Sequence, residues 1–298
     1  MQSIWGSSSK DVYICGYNDA SGGKLYHFDG SVWREIRLDF LQHPPQLDHL
    51  HGTSKSDIWA VGYTLSGIYD SVAGTWKIVD SSFAMHYNGS EWQEYKIVGG
   101  RELTNVLAIS QTDVWACGVA SSLFHFNGTN WTQVSIPGNY LFTSLAATSP
   151  SDVYLVGNQS ESTLPMDSTG YYLFHKDGMN WTKVDSVMEH PGAPPPHFGR
   201  GLWSTGSSVY SLSPGVFRKT STAWVQLSDI PVGHMYQVTP SKMIAVGKSV
   251  YQFDGSNWTE LTQFAAGPGM VWFDCFADSS EAFVVGSNNS FTVMLHGM

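Results

Sequence analysis

Eleven histidines are the residues of this sequence best able to bind a metal ion or to transfer a proton near neutral pH. Five of them share one place in a recurring pattern, shortly before a turn: His27, His86, His125, His175 and His296. A residue that returns in every unit of a repeat serves the scaffold more often than a unique site. We therefore predict that each of these histidines joins the turn Asp and a nearby Ser or Trp in a hydrogen-bonded set within its own unit.

A second group of chemically capable side chains does not follow the repeat. These ligand-binding candidates are His49, His51, Asn105, Arg200, Tyr236, Trp272 and Asp274. Imidazoles, aromatic rings and one Arg–Asp pair, gathered at one place, suit a polar ligand such as a glycan or a peptide. The alternative is that the aromatic rings only pack against their own loops.

Signatures of established catalytic sites are missing. The sequence has no Gly-x-Ser-x-Gly, no Gly-rich phosphate loop and no His-Glu-x-x-His motif. We expect no metal and no cofactor. Four carboxylates on or near the long loops remain open as a pair for glycoside hydrolysis, although nothing selects two of them: Asp48, Glu102, Glu189 and Asp274.

The elements that position these residues come from an internal repeat. One run of β-type residues recurs as Asp11-Val-Tyr-Ile-Cys-Gly16, Asp57-Ile-Trp-Ala-Val-Gly62 and Asp113-Val-Trp-Ala-Cys-Gly118. Each run is preceded by a short apolar run and followed by two more, the last of which starts at Trp. Asp-Gly or Asn-Gly separates the third and fourth runs, and this is a strong hairpin signal. Four short strands in a unit of roughly 35–55 residues are typical of a β-propeller blade.

Seven such units predict an all-β, seven-bladed β-propeller of four-stranded antiparallel blades. A single domain spans residues 1–298, with units at approximately 3–38, 49–98, 104–136, 143–186, 200–230, 233–264 and 271–298. The Trp that starts a fourth strand occurs at Trp33, Trp92, Trp131, Trp181, Trp224 and Trp258. No seventh follows, so the last blade is expected to lack its outer strand. The blade is then three-stranded, the chain is trimmed, or another chain donates the strand.

The blade topology predicts where a ligand binds. Turns between second and third strands lie on the same face as the crossings between blades. That face, called the elaborated face below, receives almost all long insertions, at 38–49, 63–83, 158–170, 187–200 and 265–274. Binding residues concentrate on long loops held by a rigid scaffold, so we expect the site there. Several of the ligand-binding candidates begin an innermost strand, near the mouth of the central channel.

Composition excludes some classes of partner. Charged residues make up only 13% of the 298 residues, and the formal net charge is −10. The few basic residues are scattered, whereas a nucleic-acid surface needs them clustered. No apolar run has the length of a membrane span. The three cysteines are expected to be buried free thiols, because Cys15 and Cys117 hold equivalent places in non-adjacent units.

The repeated Asp-Val-Trp-Ala-Val-Gly and Asp-Gly-x-x-Trp motifs resemble those of bacterial surface and secreted propellers, related in architecture to kelch, sialidase-type and WD-type repeats. The resemblance implies an extracellular, cell-surface or periplasmic location. The long loops of the elaborated face and the missing catalytic signatures favour a non-enzymatic binding or scaffold propeller that recognises protein or glycan. Two alternatives stay open. One is a carbohydrate-active enzyme with carboxylates at the channel mouth, and the other is a structural subunit completed by a strand-donating partner at the open last blade.

Overall fold

The computed structural model describes residues 1–18, 22–41, 45–70, 74–159, 169–189, 198–199, 201–212, 215–239, 241–264, 269–288 and 292–297. The chain forms six four-stranded antiparallel sheets and one three-stranded sheet, each with its strands in sequence order. The first strand of every blade contacts the first strands of the two neighbouring blades, and β25 contacts β1. The seven blades therefore close into a ring, and the predicted seven-bladed propeller is confirmed.

The first four blades carry the clearest form of the repeat. Blade 1 has β1 (Ser3–Ser8), β2 (Asp11–Asn18), β3 (Gly22–Phe28) and β4 (Trp33–Glu35). Blade 2 has β5 (Gln46–Ser54), β6 (Asp57–Asp70), β7 (Thr75–Tyr87) and β8 (Trp92–Tyr95). Blade 3 has β9 (Leu103–Ser110), β10 (Asp113–Gly118), β11 (Leu123–Phe126) and β12 (Trp131–Gln133). Blade 4 has β13 (Leu141–Ser149), β14 (Asp152–Gln159), β15 (Thr169–Asp177) and β16 (Asn180–Glu189).

The last three blades are shorter. Blade 5 has β17 (Gly201–Thr205), β18 (Ser208–Leu212), β19 (Val216–Lys219) and β20 (Trp224–Ser228). Blade 6 has β21 (Val232–Thr239), β22 (Lys242–Gly247), β23 (Val250–Phe253) and β24 (Trp258–Glu260). A 3-10 turn (Thr262–Phe264) leads to blade 7, which has β25 (Val271–Ala277), β26 (Ala282–Ser287) and β27 (Thr292–Gly297).

The core lies between neighbouring blades. Both faces of a second strand are covered, so these strands are continuous apolar runs rather than alternating ones. One cluster joins Trp59 of blade 2 to Val106 and Val114 of blade 3. The Trp of each fourth strand adds to this contact, as where Trp131 packs edge-on against Trp59 with ring centroids 5.4 Å apart. The three cysteines are free and buried within these layers.

The repeat glycine marks a close approach between first and second strands. A Cβ built on Gly62 would lie 1.8 Å from the carbonyl oxygen of Gln46, and one on Gly118 would lie 1.9 Å from that of Glu102. At the same level the first strands of blades 2, 3, 4, 6 and 7 each carry a bulge. A bulge adds one residue and redirects the next side chain. That next residue lines the central channel in each of these blades, as His49 does in blade 2.

Blade 7 closes without a fourth strand among the described residues. Gly297 holds the place of Phe126 in blade 3, since it pairs with Ala282 as Phe126 pairs with Val114. The missing ring is replaced by Phe264, which is buried and lies 3.5 Å from a Cβ built on Gly297. Blade 2 departs from the repeat in another way. Its second and third strands continue beyond the blade as a two-stranded ribbon that pairs as far as Asp70 and Thr75.

Candidate functional site

The recurring histidines are part of the scaffold. The Nε2 atom lies close to a carboxylate of the second strand at His27–Asp11 (2.7 Å), His86–Asp57 (2.7 Å), His125–Asp113 (2.8 Å) and His175–Asp152 (2.6 Å). His296 contacts Glu281 at 3.1 Å in the same manner. In the first four blades the partner is thus the first residue of the second strand, and in blade 7 it is Glu281, which immediately precedes that strand. We had expected the Asp of the turn. The turn residue has another role, since Asp29 accepts hydrogen bonds from the backbone N–H groups of Ser31 and Val32.

Most of the aperiodic candidates line a central channel of about 300 Å³. Seven equivalent first-strand positions lie at one level around the channel, because each pairs with the residue just before the repeat glycine or its counterpart. Five of them line the channel wall: His49, Asn105, Ser144, His234 and Asp274. This channel ring consists of Ser3, His49, Asn105, Ser144, Gly201, His234 and Asp274. The level lies toward the start of each first strand, and so toward the elaborated face.

The channel ring cross-links neighbouring blades. At five junctions a ring side chain of one blade accepts a hydrogen bond from a backbone N–H in the first strand of the next blade. The donors and acceptors are Ile4 N–H to Asp274 (2.9 Å), Leu50 N–H to Ser3 (3.1 Å), Val106 N–H to His49 (3.4 Å), Leu145 N–H to Asn105 (3.2 Å) and Leu202 N–H to Ser144 (3.0 Å). First-strand N–H groups that face the channel have no sheet partner on that side, and the ring satisfies them.

Between blades 6 and 7 the ring is built differently. Nδ1 of His234 lies 2.6 Å from Oδ1 of Asp274, and this carboxylate is only 3% exposed. Burial acts to raise the pKa of Asp274, but the His234 imidazole and the Ile4 N–H outweigh it and hold the pKa below its usual value. Burial likewise acts to lower the pKa of His234, and the Asp274 carboxylate raises it above its usual value. The two residues form a buried ion pair, so the charge of the carboxylate is compensated.

The other two channel histidines are neutral. Burial lowers the pKa of both His49 and His51 to about 4. Nδ1 of His51 accepts a hydrogen bond from the backbone N–H of Ala108 at 3.2 Å. The wall at this level therefore carries hydrogen-bonding groups without net charge.

His49, His234 and Asp274 place one possible metal-ligand atom each within 4.8 Å of the others. The bonding of His49 does not suit a metal. Its Nδ1 faces the Val106 N–H at 3.4 Å, and its Nε2 faces Nδ2 of Asn105 at 3.3 Å. A histidine that binds a metal through one ring nitrogen carries a proton on the other and donates it to an acceptor. Nδ1 of His49 faces a donor instead, the Val106 N–H. The cluster fits a hydrogen-bonded ring better than a metal centre.

A second level of the channel is aromatic. Two residues beyond the ring along the first strands, Trp5, His51, Trp203 and Tyr236 line the cavity. The Tyr236 ring is held edge-on against Phe276 at 5.0 Å, and Trp203 packs against Tyr210 at 5.6 Å. Rings fixed in this way offer apolar faces beside the polar ring level.

Five of the seven ligand-binding candidates line this one channel: His49, His51, Asn105, Tyr236 and Asp274. Trp272 does not, because it is buried in the core cluster shared by blades 6 and 7. Arg200 lies outside the described residues. Among the described residues, Asp274 is paired with His234. The expected pairing of Asp274 with an arginine stays a prediction.

Sequence reasoning missed part of the wall, namely Ser144, His234, Trp5 and Trp203. It also missed Ser3, which belongs to the ring through its hydrogen bond with the Leu50 N–H. A signal was present, because most ring residues precede the repeat glycine by a constant spacing. Of the four carboxylates considered for hydrolysis, Asp48 and Glu102 are near enough to interact electrostatically, whereas Asp274 and Glu189 have other partners. Asp274 is tied into the ring, while Glu189 accepts a hydrogen bond from the Tyr171 hydroxyl at 2.9 Å. Burial and the Glu102 charge raise the pKa of Asp48 to about 8.

No family model matches the sequence, and no curated protein matches it. The chain is similar to a structure of YCF48 bound to D1 peptide, at 13% identity and a TM-score of 0.64, over 99% of this chain and 91% of the other. It is also similar to the fucose-specific lectin from Aleuria aurantia, at 10% identity and a TM-score of 0.51, over 99% and 91%.

A third similar structure is PorZ, a surface component of the type-IX secretion system of Porphyromonas gingivalis. Identity is 10% and the TM-score is 0.57, over 98% of this chain and 37% of that one. At such identities the likeness shows the propeller fold alone. Among the described residues, no helix has the length and apolar character needed to span a membrane.

Proposed function

We propose that this chain is a non-enzymatic extracellular, cell-surface or periplasmic propeller that binds a protein or glycan ligand through its elaborated face. The central channel receives a small uncharged part of that ligand. The observation that carries this proposal is the wall of the channel, where a neutral hydrogen-bonding level lies beside an aromatic level. The likeness to a peptide-bound protein, a fucose-specific lectin and a bacterial surface component supports a binding role.

The lining selects the kind of group that enters. A volume of about 300 Å³ is at the lower end of ligand pockets, so one small unit of a larger ligand fits. His49 and His51 are neutral, and the Asp274 charge is compensated by His234. A charged ligand group would lose its hydration without gaining an opposite charge. A sugar ring offers hydroxyls to the ring level and C–H faces to Trp203 and Tyr236, so a glycan fits this lining best.

Binding to glycan and peptide arrays, with assay of released product, tests the proposal. Trp203→Ala is expected to weaken binding by roughly tenfold or more, since a stacked ring and its buried area are lost. Leu227→Ala in the same blade serves as the control, because Leu227 is exposed on the outer strand. Equal binding by both variants would rule out the channel as the site, and release of any product would rule out the non-enzymatic assignment.

One observation favours the carbohydrate-active alternative. A carboxyl whose pKa is raised to about 8, as that of Asp48 is, stays protonated near neutral pH, as a general acid must. Hydrolysis that disappears in Asp48→Asn, with binding retained, is the result expected of that enzyme. For the structural-subunit alternative, the relevant feature is the outer edge of β27. A strict monomer at high protein concentration would remove strand exchange between copies of this chain.

A further inference from the structure

A pocket of about 360 Å³ opens on the elaborated face between blades 3 and 4. Its walls come from the turn between β10 and β11, from the crossing into blade 4, and from the adjoining ends of β13, β14 and β15. The described residues that line it are chiefly Ala120, Asn139, Leu141, Asn158, Gln159 and Thr169. None of these six lines the central channel as well, so the pocket is a separate place.

The pocket lies where the ribbon of blade 2 makes contact one junction earlier. Phe142 of β13 and Leu103 of β9 are equivalent, because each pairs with the repeat glycine of its blade. Leu141 is therefore the counterpart of Glu102. The Glu102 N–H donates to Oδ2 of Asp80 in the ribbon, at 3.1 Å. Blade 3 has a two-residue turn in place of a ribbon, and the side chain of Leu141 is 37% exposed.

That short turn is strained and firmly held. Ala120 and Ser121 have φ angles of 52° and 57°, in the left-handed region that residues with a side chain rarely adopt. The Ser121 N–H donates to the Tyr140 carbonyl at 2.8 Å, and the Ser121 hydroxyl donates to the Gly138 carbonyl at 3.0 Å. The same hydroxyl accepts from the Tyr140 N–H at 2.9 Å. Strain that is fixed in this way is typical of ligand sites, and this wall is in place before a ligand arrives.

The polar groups of the pocket are uncharged and open to a ligand. Among the described residues, none is hydrogen-bonded to the side chains of Asn139, Asn158, Gln159 or Thr169. Each amide offers two N–H donors and a carbonyl acceptor, and the hydroxyl both donates and accepts. The described residues that line the pocket include no charged side chain. The lining therefore suits a neutral ligand with closely spaced donors and acceptors.

We propose that this pocket binds a neutral pyranose unit of a glycan, at a site that does not depend on the channel. The amides of Asn139, Asn158 and Gln159 exchange hydrogen bonds with the sugar hydroxyls, while the exposed side chain of Leu141 packs against its C–H groups. A volume of about 360 Å³ is at the lower end of ligand pockets, which suits one sugar ring. A charged sugar would lose hydration without meeting an opposite charge.

An extended peptide fits this pocket less well. Asn158 is paired on both sides, with Leu141 of β13 and with Tyr171 of β15. A peptide therefore cannot add to the end of β14 as a further strand, and it would lose the main-chain hydrogen bonds on which that mode of binding depends.

The test is a titration of the intact protein, labelled with ¹⁵N-asparagine, with methyl glycosides of neutral hexoses and N-acetylhexosamines. The side-chain amide NMR signals of Asn139 and Asn158 are expected to shift and to saturate at millimolar concentrations. Asn158→Ala and Gln159→Ala each remove a hydrogen-bonding amide and are expected to weaken binding roughly tenfold. Asn139→Trp puts a large ring into the pocket from an exposed position, so it is expected to abolish binding and to preserve folding.

Asn180→Ala is the matched control, because Asn180 is an exposed asparagine of the same blade at the turn between β15 and β16. Its affinity is expected to equal that of the unmodified protein. Trp203→Ala separates the pocket from the channel, since the Asn139 and Asn158 signals are expected to respond in this variant as before. No response to any glycoside, a response that survives Asn139→Trp, loss of the response in Trp203→Ala, or a response to peptides only would each overturn the proposal.

Discussion

Oδ2 of Asp274 in the last blade accepts a hydrogen bond from Oγ of Ser3 in the first blade at 2.8 Å, although the two residues are 271 positions apart. The Ile4 N–H donates to the same oxygen at 2.9 Å. Most propeller blades here are joined by a chain crossing, but blades 7 and 1 are not. This carboxylate therefore joins blades 7 and 1 by hydrogen bonds where no chain crossing joins them, so stability should depend on it.

Removal of the Asp274 side chain should destabilise the fold strongly. Asp274→Ala is expected to lower the free energy of unfolding by about 3 kcal/mol, because Ser3, the Ile4 N–H and His234 lose a buried partner. Ser3→Ala is expected to cost about 1 kcal/mol, since one hydrogen bond is lost. Urea unfolding measures both. Asp29→Ala is the control on an exposed turn, and equal losses for Asp274→Ala and Asp29→Ala would contradict the assigned role.

Acid should weaken the blades through the carboxylates paired with histidine. Burial acts to raise the pKa of Asp57, but hydrogen bonds from His86 and Thr53 hold it below the usual value of 3.8. The unfolded state then takes up a proton before the folded state does, so stability is complete above pH 4 and is lost as pH falls toward the lowered pKa. Asp57→Asn is expected to flatten this loss. Unfolding free energies from pH 6 to pH 3 measure it, with the exposed Asp39→Asn as control.

The repeat glycine should tolerate no side chain. Gly62→Ala would place a Cβ 1.8 Å from the Gln46 carbonyl oxygen, so the backbone of the first strand must move. The expected loss is about 3 kcal/mol. Gly233→Ala is the matched comparison, since nothing lies within 4 Å of a Cβ at that glycine, and it is expected to change stability by less than about 0.5 kcal/mol. A similar melting temperature for the two variants would show that the first strand near Gln46 can move away from residue 62 without loss of stability.

The protonation of Asp48 predicts the opposite pH dependence. Burial and the Glu102 charge raise its pKa to about 8, so the folded protein holds a proton that the unfolded chain releases near pH 4. Stability from this group is complete at low pH and declines as pH rises from about 4 to 8. Asp48→Asn should remove the decline and stabilise the protein at pH 8 relative to pH 5. If thermal melts show the same difference from the unmodified protein at both values, this carboxyl is not buried as described.

Phe264 should contribute strongly to the stability of blade 7. Phe264→Ala is expected to cost about 3 kcal/mol, because it removes a buried ring beside Gly297 and Ile244. Adding Gly297→Phe to that variant places an aromatic residue where Phe126 stands in blade 3, and should restore part of the loss. Calorimetry of the single and double variants gives the answer. No recovery in the double variant would mean that Phe264 does not substitute for the third-strand ring.

Most of the architecture follows from local pattern in the sequence. The Asp-Val-Trp-Ala-Val-Gly runs and the Asx-Gly turns specify strands and hairpins whose partners are near in the chain, and the repeat multiplies them. The missing seventh Trp likewise predicts that the last blade lacks its outer strand, and this is confirmed, because the described residues of that blade form three strands. The recurrence of His86 and its counterparts identifies them as scaffold residues, but it does not identify their carboxylate partners.

The sequence by itself determined the seven blades, the open last blade and five of the residues that line the channel. Only the tertiary structure decided that His234 is the partner of Asp274, that Trp272 is core, and that Phe264 closes blade 7. The physical reason is distance along the chain. Strands and turns are encoded by neighbours, whereas the channel ring and the blade junctions bring together residues from separate units, whose meeting depends on bulges and on closure of the whole ring.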